Sequence, residues 1–197
     1  MRKYGTPGAS LENTSFSQNR QDSGKKGEKI VGRKIEQWAK NKKAHVFHSL
    51  KIPQKNFDID HVIVYRGKIL VVDAKNWAQN HQYKAVKIGG ASDTPYVKVL
   101  RDGKDFSGGT THTSWEAETL KKQLSTPLPV VPLVCVAKNK IAISSSLRIP
   151  YRVVSLDGLV KELDNFFDSP AYTWRIFSQK KAVRKMRKWI SETNVAV

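Results

Sequence analysis

Residues 57–77 read FDIDHVIVYRGKILVVDAKNW. Two aliphatic runs meet at Arg66-Gly67, with Asp58 and Asp60 at one outer end and Asp73 and Lys75 at the other. Alternating Val and Ile on both sides of a short Gly-containing break predict two antiparallel strands and a two-residue turn. With Arg66-Gly67 central, Tyr65 faces Lys68, Val64 faces Ile69, Val62 faces Val71 and Asp60 faces Asp73, while Asp58 comes opposite Lys75. Directly opposed residues share a face with Cβ atoms about 5 Å apart. Residues two apart on a strand share a face as well, so Asp60, Asp73 and Lys75 are expected to project together. Carboxylates that close repel, so one keeps a proton or a cation sits between them. A hard divalent ion, Mg²⁺ or Mn²⁺, fits an oxygen site of one or two carboxylates completed by water and phosphate oxygens. Lys75 would then stand ready to steady an attacking water or the charge growing on a phosphoryl oxygen. The plainer account is two solvated strand ends, with Asp58 and Lys75 as an ordinary cross-strand ion pair.

Upstream, GEKIVGRKIEQWAKN (27–41) repeats apolar residues at helical spacing through Val31, Ile35, Trp38 and Ala39. Glu28 lies on the same stripe, seven residues before Ile35. An acid in a first helical turn is favoured by the helix dipole wherever it points, but one on the apolar face points at whatever the helix packs on. AHVFHSLKI (44–52) reads as a strand. Downstream, YKAVKIG, YVKVLRDG, VVPLVCVA and KIAISS read as strands, and HTSWEAETLKKQL (112–124) as a helix with Leu120 and Leu124 on one side. VVSLDGLVKELDNFF is a strand end entering a helix at Ser155, and a last helix is expected from Tyr172 to Ile190. Gly89-Gly90 and Gly108-Gly109 are expected as turns. Helices alternating with strands on both sides of the hairpin predict an α/β (α+β) domain on a mixed central sheet flanked by helices.

The chain has 197 residues and a net charge of +18. Such an excess suggests a polyanionic partner, nucleic acid or an anionic membrane surface. The membrane alternative lacks an amphipathic anchor with large apolar residues, and DNA is the expected partner. Cys135 is the single cysteine and lies in an apolar run, so a buried thiol in a reducing compartment is expected, and with it a cytoplasmic location. Residues 1–26, rich in Ser, Asn, Gln, Gly and Lys, are expected to be a mobile basic arm, 27–165 the main domain, and 166–197 a basic C-terminal helix. That helix carries an apolar stripe of Ile176, Val183, Met186 and Ile190, and a basic stripe of Lys181, Arg184, Lys185 and Lys188 expected to contact phosphates. His61 is expected on the other face of the sheet from Asp60, as a hydrogen-bonded core histidine.

A Gly27-Glu28 helix start, an Ile59-Asp60-His61 run and a hydrophobic strand ending in Asp73-Ala74-Lys75-Asn76-Trp77 together resemble the nuclease-related domain, a branch of the PD-(D/E)xK phosphodiesterase superfamily. The likeness covers about residues 27–165 and is tightest at 59–77. It implies a restriction-endonuclease-like core and a Mg²⁺-dependent endodeoxyribonuclease. It also implies Asp60 and Asp73 as metal ligands with the Ala74 carbonyl, Lys75 as the catalytic lysine, and Glu28 near the ion directly or through water. Two departures stand out. Asp73 replaces the family's usual Glu, and FSGGTTHTSW lacks the family's Asn-Pro and Gln before the helix at 112–124, where His112 is the residue at hand. The alternative function is a catalytically weak or inactive nucleic-acid-binding module with the same fold.

Overall fold

A computed structural model describes residues 1–9, 17–88, 96–106, 111–138, 141–143, 152–169 and 175–195. The two expected glycine-pair turns and Tyr172 lie outside the described residues. In chain order the elements are β1 (Arg2–Tyr4), α1 (Gln18–Ala39), β2 (His45–Lys51), β3 (Asp58–Tyr65), β4 (Lys68–Lys75), β5 (Tyr83–Ile88), β6 (Tyr96–Arg101), β7 (Lys104–Asp105), α2 (Thr111–Leu124), β8 (Val130–Val136), β9 (Ile141–Ile143), β10 (Arg152–Ser155), α3 (Leu156–Asp168) and α4 (Ile176–Val195).

Six strands form a mixed sheet in the order β1-β2-β3-β4-β8-β10. The β2–β3 and β3–β4 pairings are antiparallel, whereas β1–β2, β4–β8 and β8–β10 are parallel. The hairpin register is the expected one from Tyr65↔Lys68 to His61↔Val72. Arg66 (φ 49) and Gly67 (φ 70) both have positive φ, the backbone of a type I′ turn whose twist matches the strands it joins.

Helices cover both faces of this sheet. On one, Val31, Ile35 and Trp38 of α1 and Leu159, Leu163 and Phe167 of α3 pack on Ile63, Leu70, Val72 and Cys135. On the other, Ala117, Leu120 and Leu124 of α2 and Ala182, Val183, Met186 and Trp189 of α4 pack on Phe47, Val62, Val64, Ile69 and Val71. Covered on both faces, β4 is buried from Lys68 to Ala74, which is why it reads as an unbroken apolar run. Each fully buried Val, Ile or Leu contributes about 1.5–3 kcal/mol. A second sheet, β7-β6-β5-β9, packs Tyr83, Ala85 and Val99 against Val134 and Val136 of β8. Trp77 joins this smaller core, stacked on Tyr83 at 4.7 Å between ring centres.

Within residues 1–26, expected from the sequence as a basic arm, the described parts hold two elements: β1 adds an edge strand beside β2, and α1 begins at Gln18, before Gly27. Tyr4 stacks on Phe47 at 4.6 Å, which ties the short strand down. In α4, Val183 and Met186 are buried as expected and Ile190 is half-buried, but Ile176 is 50% exposed. Among the described residues, no helix is long and apolar enough to cross a membrane.

Candidate active site

The β3–β4 ladder stops at His61↔Val72. Beyond it β4 continues beside β8, with Asp73↔Val134, Ala74↔Cys135 and Lys75↔Val136. The two hairpin strands therefore part where the acids lie. In the gap, the Ala74 N–H donates to Asp60 Oδ2 at 2.8 Å, a side-chain acceptor serving an amide beyond the end of the β3–β4 ladder. Asp60 and Asp73 are thus not a ladder pair. Asp58 does not face Lys75 either; it pairs across β2 with Lys51.

Lys75 turns instead to Asp73, two residues back on its own strand, with Nζ 2.9 Å from Oδ2. The Thr113 hydroxyl, buried at the start of α2, donates to the same oxygen at 2.7 Å. One turn further along α2, Glu116 is buried beside them, 6% exposed. Its Oε1 is 2.9 Å from His112 Nδ1, and its Oε2 is buried with no hydrogen-bond partner among the described residues.

Glu28 enters from the opposite helical layer. It is 3% exposed, and its Oε2 accepts the Gly8 N–H at 2.9 Å. What lets α1 come so near is Gly27: a Cβ there would lie 2.8 Å from Asn76 Cβ. Asn76 in turn donates from its amide to the Ser23 carbonyl (2.7 Å) and hydroxyl (2.9 Å). Gly27-Glu28 and Lys75-Asn76 are therefore two halves of one helix–strand contact.

The electrostatics show how crowded the acids are. Burial, then the charges of Glu28 and Asp73, raise the Asp60 carboxyl well above its usual range, against the lowering effect of the Ala74 amide. Burial is also the main reason Glu28 rises to about 7; the Gly8 amide and Lys75 pull it down, and Asp73 and Asp58 push it up. Glu116 rises to about 8, through burial and then Asp73, opposed by Lys75. Burial disfavours the Lys75 ammonium, but Asp73, Asp60 and Glu116 outweigh it and the pKa is raised. Among the described residues, Glu28, Asp60, Asp73 and Glu116, from four different elements, share one region with the Lys75 ammonium.

The model of the nuclease-related domain matches residues 23–137, more than half of the sequence. The chain belongs to the nuclease-related domain family. The match runs from Ser23 in α1 to Ala137 just after β8, so it contains Glu28, Asp60, Asp73, Lys75 and Glu116 but neither β1 nor α4. No curated protein and no solved structure matches the chain.

Within this nuclease-related domain, Glu28, Asp60, Asp73 and Lys75 meet at the β3–β4 parting. Thr113 and Glu116 are the members the sequence reading missed. Their signal was their place on the buried stripe of α2 that continues through Ala117, Leu120 and Leu124, where polar residues need a reason to be. His112, the residue considered at this place, is half-exposed and reaches Glu116. His61 is fully buried and lies 2.8 Å, Nδ1 to Nδ1, from His48, packed on the α1 side as a core histidine. Cys135 is fully buried and its thiol is pushed up to about 12, by burial first and then by Asp73, which leaves it inert.

Proposed function

We propose that this domain hydrolyses phosphodiester bonds of DNA as a Mg²⁺- or Mn²⁺-dependent endonuclease. The observation that supports this reading best is the surplus of buried and half-buried acids at the β3–β4 parting. Glu28, Asp60 and Glu116 all have raised pKa values, and Lys75 is the one ammonium among the charges acting on them there. Such a surplus calls for added positive charge, and Glu116 Oε2, without a hydrogen-bond partner among the described residues, is one more oxygen that a cation or a proton would satisfy. Among the described residues no three His, Cys, Asp or Glu side chains stand ready to hold a metal ion by themselves. The donor set suits Mg²⁺, which needs one or two carboxylates and takes its other ligands from water and phosphate oxygens.

Asp60 and Asp73 would hold the ion, with the Ala74 carbonyl, and Glu28 would approach directly or through water. A bound Mg²⁺ supplies charge neutralisation for these acids and polarises a phosphate ester. The protein groups do the positioning. The Ala74 N–H fixes Asp60, Thr113 and Lys75 together fix Asp73, and the Gly8 N–H fixes Glu28. Lys75 keeps its proton and presents positive charge to the attacking water or to the phosphoryl oxygen on which charge develops. Cleavage is expected to leave 5′-phosphate and 3′-hydroxyl ends. Exposed Trp115, packed on Phe57 at 4.4 Å, borders the site as an aromatic wall for substrate. Lys181, Arg184 and Lys188 of α4 would hold phosphates. Lys185, proposed with them from the sequence, already donates to the Gln123 carbonyl at 2.5 Å. The buried Cys135 thiol is consistent with the reducing cytoplasm as the place of action.

The test is cleavage of supercoiled plasmid and of single-stranded DNA, with Mg²⁺ or Mn²⁺, by the wild type, Asp73→Ala and Lys75→Met. Metal-dependent nicking by the wild type, reduced about 100-fold or more in both variants, is expected. DNA binding without product under either ion would replace this reading with that of a non-cleaving binding module.

A further inference from the structure

The basic face of α4 is one wall of a larger feature at the other end of the sheet. An open cleft of about 740 Å³ separates the first turns of α4 from the start of β1 and β2. Arg2, Lys43, Lys180, Arg184 and Arg187 line it with His45, and no described lining residue is acidic. A second cleft, lined by Arg184, Arg187, Lys188 and Ser191, shares two of these arginines and carries the groove onward along the helix. Ile176, which lines the cleft, is 50% exposed, and its chain neighbour Phe177 is 83% exposed. The Lys180 ammonium lies 5.9 Å from the centre of the Phe177 ring.

We infer that this groove is a nucleic-acid exosite: it takes a run of sugar-phosphate backbone, and Phe177 offers a platform for an unpaired base. From Lys180 to Ser191 the helix rises about 17 Å, the length of about five phosphates along one strand of a duplex. The arginines and lysines come from three chain segments, β1, the α1–β2 connection and α4, that only folding brings together. Concavity separates this ligand from an anionic bilayer, which presents its phosphates on a plane and would meet a convex surface. Base–aromatic stacking tolerates any sequence, in keeping with a groove that offers charge and a ring face.

Register places the groove relative to the acids. His45 is opposite Val64, at the turn end of β3, four residues and about 13 Å along the strand from Asp60. The same helical layer, α2 with α4, borders both the groove and Asp73. A strand held in the groove would be tethered beside the cleavage site without touching it. The exosite rests on nucleic acid as the ligand of the proposed function, but not on cleavage.

The test is fluorescence anisotropy in EDTA, on a Lys75→Met background, with a 20-nucleotide single strand and a blunt duplex of equal length. Arg184→Ala/Arg187→Ala is compared with Lys40→Ala/Lys161→Ala, which removes the same charge from the α1–α3 side. Lys180→Ala/Arg184→Ala serves as a second groove variant should loss of the Arg187–Tyr4 contact unfold the first. The groove variants are expected to weaken binding by 10-fold or more at ~0.1 M salt and to flatten the log–log salt slope by about 1.8 on the duplex. The control pair is expected to change binding less than 3-fold. Phe177→Ala is expected to weaken the single strand more than the duplex. Equal losses for groove and control pairs overturn the exosite. So does sedimentation with phosphatidylserine vesicles that depends on Arg184 and Arg187 while DNA affinity does not. Groove-dependent binding by a protein that never cleaves would leave the exosite standing and remove the nuclease reading alone.

Discussion

Replacing Gly27 by Ala tests the helix–strand contact that brings Glu28 to the site. Within a helix, Gly→Ala alone stabilises by about 1 kcal/mol. At position 27 the new Cβ would lie 2.8 Å from Asn76 Cβ and 3.5 Å from its backbone nitrogen. Asn76 is held on the other side by its two hydrogen bonds to Ser23, so neither it nor the β4 end can easily yield. Overpacking of this kind costs about 1–3 kcal/mol, and a net loss of up to about 2 kcal/mol is expected. Gly158 in α3 provides the control. There the nearest atom to a new Cβ is Ser155 Oγ at 3.8 Å, and Gly158→Ala should stabilise by about 0.5–1 kcal/mol. For a chain of this length 1 kcal/mol corresponds to about 2–4 °C in Tm. Denaturant and thermal unfolding of the two variants should shift in opposite directions. If Gly27→Ala stabilised as much as Gly158→Ala, the close approach would not constrain α1, and the account of how Glu28 is positioned would be wrong.

Two further predictions concern pH. Glu116 has a folded pKa of about 8 against an ordinary value of 4.5, so the folded state binds the extra proton and stability falls as pH rises from 4.5 through 8. Glu116→Gln should remove that fall. In EDTA, its stability advantage over wild type should be small at pH 4.5, grow to several kcal/mol by pH 8.5, and shrink when Mg²⁺ is added; a pH-independent difference in urea unfolding would refute it. His48 behaves in the opposite sense. It is fully buried, with Nε2 3.1 Å from Glu36 Oε1 but poorly aligned for a hydrogen bond. Burial is the main cause that lowers its pKa to about 4, with Lys3 adding to the effect and Glu36 opposing it. The unfolded chain takes up the proton first, so this contribution is full above 6.5 and is lost as pH falls toward 4. Two and a half pKa units correspond to at most about 3 kcal/mol. His48→Gln should flatten the acid limb of the stability profile; an unchanged limb would count against the buried neutral histidine.

The hairpin was legible because strand pairing and turn chemistry are local. Arg66-Gly67 sets the register of Tyr65 to His61 against Lys68 to Val72, and the aliphatic run of β4 announces a strand covered on both faces. Glu28, Asp60, Asp73 and Lys75 could be named as candidates because each sits on a periodic apolar pattern where a charge is out of place. The folded chain decided how they meet. β4 leaves β3 after Val72 to follow β8, so Asp60 binds an amide in the gap and Lys75 finds Asp73 instead of Asp58. That parting depends on a strand some 60 residues further along, which no local pattern encodes. Thr113 and Glu116 reach Asp73 across 40 residues or more, and β1, three residues long, has too little sequence to show a period. The basic groove is the extreme case. The sequence fixes an excess of positive charge, but charge has no periodicity that tells which segments will face each other. Only packing α4 beside the β1–β2 edge sets Arg2 and Lys43 opposite Arg184 and Arg187.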